Sequence, residues 1–392
     1  MLRPIPLAVA RERLLAEVPP DTMREVAVGL GRALGRVLAR PAHAGADLPP
    51  FDRSLVDGFA VATADGPWHL AGHVAMGVSA PVLPARGALG VPTGGMLPEG
   101  TVAVVMQEDA LVQDGILRVQ GAVRVGQNLV RRGADARAGA VVLPDGRRLR
   151  PADIAMLATV GVVRVRVRRR PRIAILSTGD ELVGAGARAG PGQVPDSNGP
   201  ALAAALERDG AVPVPLGIVA DARPALRAAV GRGAAADALI CTGGSSVGER
   251  DLVPAVLREV YGVEPLFWGL ALRPGRPTAA FTAGGRWAVA LPGHAVSALV
   301  VYELLVRPAV RRFAGETEIG EDPCWHVTLA APVRAPADRD LYVRVRVREG
   351  RAWPLPGPSA LIGDLSGADA LVLCRAGMAL DPGTAVAALP LG

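Results

Sequence analysis

The stretch Ala238–Asp251, ALICTGGSSVGERD, decides the fold. It opens with a short apolar run, passes through a Gly-Gly-Ser-Ser turn, and reaches two carboxylates, Glu249 and Asp251, before a helical pattern begins at Leu252. A buried strand that feeds a glycine-rich loop and a helix N-terminus is an anion cradle. Its backbone N–H groups point outward, and the helix dipole favours negative charge. Carboxylates on such a loop would repel a lone anion. They fit one if a hard cation such as Mg2+ sits between them and a phosphate.

Working outward, the same rhythm repeats on both sides. RIAILSTGD, VPVPLGIVA, DALICTGG and RWAVALPG read as strands. NGPALAAALERDG, ARPALRAAVGRGA and DLVPAVLREVYG read as the helices between them, and AVSALVVYELLVRPAVRRFAG reads as a long closing helix. Alternation of this kind specifies a doubly wound, mainly parallel α/β sheet, with ligands at the C-terminal strand ends. The loops expected there carry STGDEL, ADARP, TGGSSVGERD and LPGH.

The flanks read differently. Residues 5–40 have a helical pattern, broken at Pro19-Pro20. Residues 60–130 are short β-like segments punctuated by glycine, with Asp114-Gly115 a hairpin signal, and predict a small all-β domain. PADIAMLATVG predicts a helix with proline in its first turn, and VVRVRVRRRPR a strand with one buried face. WHVTLAAPV, RDLYVRVRVREGRAWPL, DALVLCRAG and TAVAALPL predict a small all-β barrel or sandwich, with the 343–348 arginines on a solvated face. The expected division is a discontinuous linker unit (1–45 with 131–170), an all-β unit (46–130), an α/β unit (171–318) and a C-terminal β unit (319–392).

Bulk composition agrees. A chain of 392 residues exceeds one ordinary core, which predicts two to four domains. It contains no lysine, so all 43 basic residues are arginine, and the net charge of +6 points to an anionic partner. Aromatics at 3% are too sparse for single-strand nucleic-acid stacking, which leaves a small phosphorylated ligand. Cys241, Cys324 and Cys374 are odd in number and widely spaced, so they read as core hydrophobes rather than a disulfide or metal framework. His69 and His73 share a strand face by spacing, and read as incidental. The N-terminal apolar run is too short and too charged for a signal peptide, and no window has the ~18 apolar residues of a span. The expectation is a cytoplasmic protein with no membrane and no nucleic-acid partner.

Motifs in fixed order then meet a family. They are Ser54 through Asp57-Gly58-Phe59-Ala60; Thr93-Gly94 with VAVVMQE ending at Glu108; Arg131-Arg132-Gly133 with Asp135; and Thr178-Gly179-Asp180-Glu181-Leu182. Asp196-Ser197-Asn198 follows, then Gly243-Gly244 through Ser246, Gly248, Glu249 and Asp251; Pro274-Gly275 with Pro277; and Leu291-Pro292-Gly293 with Val296-Ser297. Over about 250 residues the chain resembles the molybdopterin molybdenumtransferases, the family of the MoeA proteins and the gephyrin E domain.

The resemblance implies four subdomains, namely a molybdopterin-binding, MogA-like α/β domain with an elongated linker domain, a small all-β domain and a C-terminal β-barrel. It implies an elongated homodimer whose cleft lies between the α/β domain of one subunit and the all-β domain of the other. The implied reaction is Mg2+-dependent insertion of molybdate into adenylylated molybdopterin with release of AMP. Catalytic roles fall on Asp57, Thr93, Asp135, Glu181, Asp221 and Asp251, with Asp57, Glu181 and Asp251 on the metal. Ligand binding falls on Thr178, Gly179, Gly243, Gly244, Ser246, Gly248, Arg273, Arg276, Pro292 and Gly293. Molybdopterin adenylyltransferase and molybdoenzyme-maturation proteins are the implied partners.

Plainer readings stand beside these. Asp57 could shape a turn before Gly58, Asp180 could cap its loop, Asp221 could N-cap the next helix, and Thr93 could be a turn hydroxyl. The chain also departs from the family pattern. Arg273 and Arg276 replace lysines, Gly269 stands where some members carry lysine, Ala222 replaces a second acidic residue, and His294-Ala295 replaces Asn-Pro. These departures define an alternative, a catalytically altered paralogue that binds pterin or nucleotide phosphate or scaffolds cofactor assembly. A molybdopterin adenylyltransferase would leave Asp57, Thr93 and Asp135 without a role.

Overall fold

The computed structural model describes residues 3–20, 23–244, 252–317, 324–355 and 357–391. Helix α1 is Leu7–Glu17 and buries Ala10 and Leu14. The helical expectation for 5–40 ends there. Glu25–Gly29 is a strand, β1, followed by a single 3-10 turn at Leu30–Arg32. Two valines in alternation favour extended backbone, and Gly29, Gly31 and Gly35 disfavour a helix continuing through them.

The all-β unit comprises β2 (Gly58–Val61), β3 (Trp68–His73), β4 (Gly87–Val91), β5 (Ala103–Met106), β6 (Ala110–Gln113) and β7 (Ile116–Val119). They form one six-stranded sheet in the order β5-β2-β4-β3-β7-β6. Asp114 and Gly115 turn the β6–β7 hairpin at φ 53° and 72°, as a type I′ pair must. Gly58 is required by packing, because a Cβ there would stand 1.9 Å from the Val105 carbonyl oxygen.

The chain then returns to its beginning. After α2 (Pro151–Thr159), strand β8 (Arg164–Arg168) pairs antiparallel with β1, Glu25 opposite Arg168. Val165 and Val167 point inward and the arginines between them outward, as the alternation predicts.

The α/β unit follows: β9 (Arg172–Thr178), α3 (Asn198–Arg208), β10 (Val212–Val219), α4 (Arg223–Gly233), β11 (Ala238–Thr242), α5 (Leu252–Tyr261), β12 (Phe267–Trp268), β13 (Leu272–Arg273), β14 (Ala279–Ala283) and β15 (Arg286–Leu291). Its sheet runs β10-β9-β11-β15-β14-β12, with the first four parallel and the last two antiparallel. Successive residues serve opposite layers. Ile173, Ile175, Ala238 and Ile240 pack with α1, α3 and the closing helices, while Ala174, Leu176, Leu239 and Cys241 pack with α4 and α5. Burial on both faces is why the strands read as unbroken apolar runs. It also pushes the Cys241 thiol up to about 12, leaving it an inert core residue.

The closing helix is α6 (Ala295–Val301), a π-helical turn (Tyr302–Val306) and α7 (Arg307–Phe313). Pro308 lacks the N–H a regular helix would donate, which fits the widened turn before it. The C-terminal unit contains β16 (Trp325–Leu329), β17 (Asp340–Arg348), β18 (Arg351–Pro354), β19 (Ala370–Cys374) and β20 (Ala385–Pro390). These close into a five-stranded barrel in the order β17-β18-β16-β20-β19, the last pairing with the first. Strand β13 leaves the α/β sheet and pairs parallel with β17. The 343–348 run is not uniformly solvated: Arg344 is buried at 8% exposure and its guanidinium donates to the Gly357 carbonyl.

Candidate active site

The parallel register brings Thr178 beside Val219, Ser177 beside Thr242, and Thr242 beside Leu291. Four loops therefore leave one edge of the sheet together. Thr178 Oγ1 lies 2.5 Å from Asp221 Oδ1 and 2.8 Å from the Val219 carbonyl. Asp180 Oδ1 accepts the Asp221 N–H at 3.1 Å, so Asp180 ties the loop after β9 to the loop after β10 rather than capping its own. Asp221 does not cap α4. That N-cap is Ala222, with no side-chain bond, and the Asp221 carboxylate turns to Thr178 instead.

Gly243 and Gly244 hold φ of 93° and 58°. A Cβ on Gly243 would stand 1.9 Å from the Thr178 carbonyl oxygen, and one on Gly244 2.8 Å from Val253. Gly293 lies against Gly243, within 3.5 Å of its Cα by the same construction. The loops touch backbone to backbone there, which leaves their outer side open to a ligand. Asn198, the first residue of α3, braces them by donating to Thr242 Oγ1 and to the Gly293 carbonyl, each at 2.7 Å. Thr242 Oγ1 in turn reaches the Pro292 carbonyl at 3.2 Å. The exposed Glu181 carboxylate folds back over Gly179. Thus Thr178, Gly179, Glu181, Asp221, Gly243, Gly244, Pro292 and Gly293 share one sheet edge. Ser246, Gly248, Glu249 and Asp251 lie outside the described residues.

Arg273 and Arg276 flank a Pro-Gly turn pinned to α6, since a Cβ on Gly275 would meet Val301 at 2.3 Å. Thr278 closes the turn by donating to the Gly275 carbonyl, and both arginines are exposed. His294 Nδ1 lies 3.3 Å from Ser359 Oγ, joining the Pro292–His294 loop to the C-terminal unit.

Asp57, Thr93 and Asp135 sit elsewhere. Asp57 Oδ1 accepts the Thr93 N–H at 2.8 Å, which fixes the carboxylate at the end of the β-sheet. Asp135 is exposed, on a loop held by two ion pairs that the motif reading did not single out. Asp52 Oδ2 meets Arg131 at 2.5 Å, and Asp47 Oδ2 meets Arg132 at 2.7 Å. The Ala138 N–H and the Arg132 guanidinium hold the Asp47 carboxyl below its usual range. For Asp52, burial acts upward but the Arg132 N–H and Arg131 outweigh it. Among the described residues, no hydrogen bond or ion pair joins Asp57, Thr93 or Asp135 to the α/β loops. Asn198 and Ser177 carry no site role in the motif reading. The signal for Asn198 was present in Asp196-Ser197-Asn198, polar residues directly before an apolar periodic run.

Comparison with known proteins covers nearly the whole chain. Residues 5–161 match the MoeA N-terminal region (domain I and II), residues 174–312 a probable molybdopterin binding domain, and residues 326–391 the MoeA C-terminal region (domain IV). A molybdopterin molybdenumtransferase of Haemophilus influenzae is 35% identical over 321 residues, 80% of this chain and 79% of that one. One of Staphylococcus aureus is 31% identical over 330 residues, 81% and 77% of the two chains. A crystal structure of a Pyrococcus horikoshii MoeA protein superposes over 100% of both chains with a TM-score of 0.76 at 29% identity. Another, at 24% identity, covers 99% of this chain and 100% of that one with a TM-score of 0.80, a likeness of fold.

Proposed function

The chain belongs to the MoeA family of molybdopterin molybdenumtransferases, enzymes of molybdenum cofactor biosynthesis, and from that premise we propose its reaction: insertion of molybdate into adenylylated molybdopterin, dependent on Mg2+, with release of AMP. The observation that carries this reading is the glycine cradle of Gly243 and Gly244 beside the Thr178–Asp221 pair at one sheet edge. Pyrophosphate cleavage needs outward N–H groups for phosphate oxygens, carboxylates for a hard cation, and cationic side chains for the developing charge.

Gly243 and Gly244 bring backbone to the pyrophosphate. Thr178 holds the Asp221 carboxylate in one orientation, facing the same opening. Arg273 and Arg276 fork onto oxyanion oxygens, a task that arginine's planar donors suit. Glu181 and Asp57, with Asp251, are the proposed metal ligands. Among the described residues no three potential ligands form a closed cage. Mg2+ takes one or two carboxylates and keeps water and substrate phosphate for the rest. When bound, the ion would neutralise phosphate oxygens and ease departure of AMP.

The proposed organisation is the four-unit division, 1–45 with 131–170, 46–130, 171–318 and 319–392. The β1–β8 pairing supports the discontinuous first unit. We further read the protein as a homodimer in which Asp57, Thr93 and Asp135 of one subunit complete the α/β site of the other. No helix among the described residues is long and apolar enough to cross a membrane, and the proposed location is the cytoplasm.

The test is direct. Purified protein with Mg2+ and molybdate should release AMP from adenylylated molybdopterin, followed by chromatography. Unchanged substrate under those conditions rejects the reading.

A further inference from the structure

At the end of the α/β sheet opposite the glycine cradle, the linker unit meets the α/β unit around a small recess. The seven residues of β9 put roughly 20 Å between the two places. Five of the residues lining the recess are arginines: Arg36, Arg148, Arg168, Arg169 and Arg170. They arrive from three directions. Arg36 follows the 3-10 turn, Arg148 precedes α2, and residues 168–170 join β8 to β9. Gly210, just past α3, leaves room for one of them, since a Cβ there would stand 2.8 Å from Arg148 Nη1.

Most of this charge is already answered. Arg169 forks onto Asp237 at 2.8 and 2.9 Å. Arg148 donates to Glu316 at 3.0 Å and to the carbonyls of Gly35 and Asp209 at 3.1 and 2.7 Å. Arg168 donates to the Met23 carbonyl at 3.4 Å. The same carboxylates have further partners. Asp237 also accepts the Arg172 N–H, Glu316 also holds Arg311, and the Asp209 carboxylate holds Arg208 and Arg307. Arg36 and Arg170 are left over. Arg36 is half-buried and donates only from Nη2, to the Arg168 carbonyl at 2.8 Å. Arg170 is exposed, and among the described residues its side chain has no hydrogen bond or ion pair. Burial, and after it the Arg170 charge, hold the Arg36 guanidinium below its ordinary value. Arginine does not shed its proton to escape such a position, so the repulsion persists until an anion answers it.

We infer that this recess is a second anion site, in which Arg36 and Arg170 together hold a tetrahedral oxyanion of the phosphate or sulfate class and so tie the linker unit to the α/β unit. The recess has about 10 Å3, room for one water-sized group and not for a ring. One oxygen of the anion would enter it. The others would stay at the mouth, where planar guanidinium groups donate to them in pairs. The site is remote from the cradle and does not depend on the reaction proposed above.

The test uses the intact chain and inorganic phosphate, with sulfate, glycerol 3-phosphate and chloride compared at matched ionic strength. It follows the melting temperature and amide exchange across residues 35–38 and 168–171. Phosphate and sulfate should raise the melting temperature of the wild type and slow exchange in both segments severalfold, while chloride does neither. Arg36→Gln and Arg170→Gln should each weaken the apparent phosphate affinity about tenfold or more. Without phosphate, Arg170→Gln should melt no lower than the wild type, because losing that charge relieves the repulsion. Tighter binding of glycerol 3-phosphate than of phosphate would uphold the site with a phosphate monoester as its occupant, and the reverse would uphold it for the free ion. Equal effects of phosphate and chloride would mean screening only and overturn the site. So would slowing confined to residues 242–244, which would assign the phosphate to the cradle. A lower-melting Arg170→Gln in phosphate-free buffer would show that this guanidinium already has a partner in the fold, and would overturn it as well.

Discussion

A single hydroxyl decides how Asp221 is presented. Thr178 Oγ1 can give its one proton either to Asp221 Oδ1 at 2.5 Å or to the Val219 carbonyl at 2.8 Å, and the shorter contact is to the charged group. Thr178→Val keeps the branched shape in a buried strand and removes the donor. A hydrogen bond to a charged group contributes about 1.5–3 kcal/mol, so kcat/KM for AMP release should fall roughly 10- to 100-fold with the fold unchanged by circular dichroism. Wild-type turnover in that variant would remove Thr178 from the site. Gly243→Ala tests the backbone instead. Its Cβ would overlap the Thr178 carbonyl at 1.9 Å, so β9 and β11 must part or the loop must move. The expected outcome is loss of AMP binding and destabilisation of at least about 2 kcal/mol in denaturant melts. Reading the sequence reached Thr178, Gly243 and Asp221 through their place after apolar runs. It could not choose between a cap and a site for Asp221, because that choice depends on where β9 lies beside β10.

At the scale of single elements, local patterns were legible where pairing partners did not matter. Helix α2 is an example. Proline in its first turn announces the start, and Asp153 secures it by accepting the Arg150 N–H at 2.8 Å and the Arg147 fork at 2.8 and 3.0 Å. Burial acts to raise the Asp153 carboxyl, but Arg147 and the Arg150 N–H prevail and hold it low. Asp153→Ala should destabilise this helix by about 2 kcal/mol, combining a lost cap with the loss of the charge-assisted bonds from Arg147. The check is faster amide exchange across Ile154–Thr159, and unchanged protection there would show the cap to be idle. The Asp114-Gly115 hairpin and the four parallel strands were legible in the same way, since turn chemistry and two-sided burial are written locally. Glu25–Gly29 was not, because its partner β8 lies about 140 residues on and only pairing makes it a strand. Strands within EPLFWGLALRPGRPTAAF are legible, but that Leu272–Arg273 pairs with β17 of the C-terminal unit is not, because that strand follows much later in the chain.

Across the molecule, one buried carboxylate ties the linker unit to the closing helix, and the same separation of parts sets the largest test. Glu316, 6% exposed, receives Arg311 at 2.6 Å and Arg148 at 3.0 Å, the latter from the loop before α2. Burial pushes the Glu316 carboxyl up, but the two guanidinium groups outweigh it and leave it below its ordinary value of 4.5. A depressed carboxyl stabilises the fold above its unfolded value and loses that contribution as pH falls through its folded value. Glu316→Gln should therefore lose about 3–5 kcal/mol near neutral pH, and the wild type should approach the variant in melting temperature only as pH falls below the ordinary value of 4.5. Parallel melting curves at all pH values would show that the pair does not titrate with folding. The division of the site is tested by mixing. Among the described residues Asp57, Thr93 and Asp135 share no hydrogen bond or ion pair with the α/β loops, and on the proposed reading Asp57→Asn and Asp221→Asn should each abolish molybdate-dependent AMP release while leaving the proposed dimer intact. If the cleft is built across two subunits, heterodimers formed by mixing the two variants carry one site with both defects and one with neither. Activity should then reappear on mixing, in proportion to heterodimer formed. Continued silence from a confirmed heterodimer would place both halves of the site within one chain and require the all-β unit to close onto its own α/β domain.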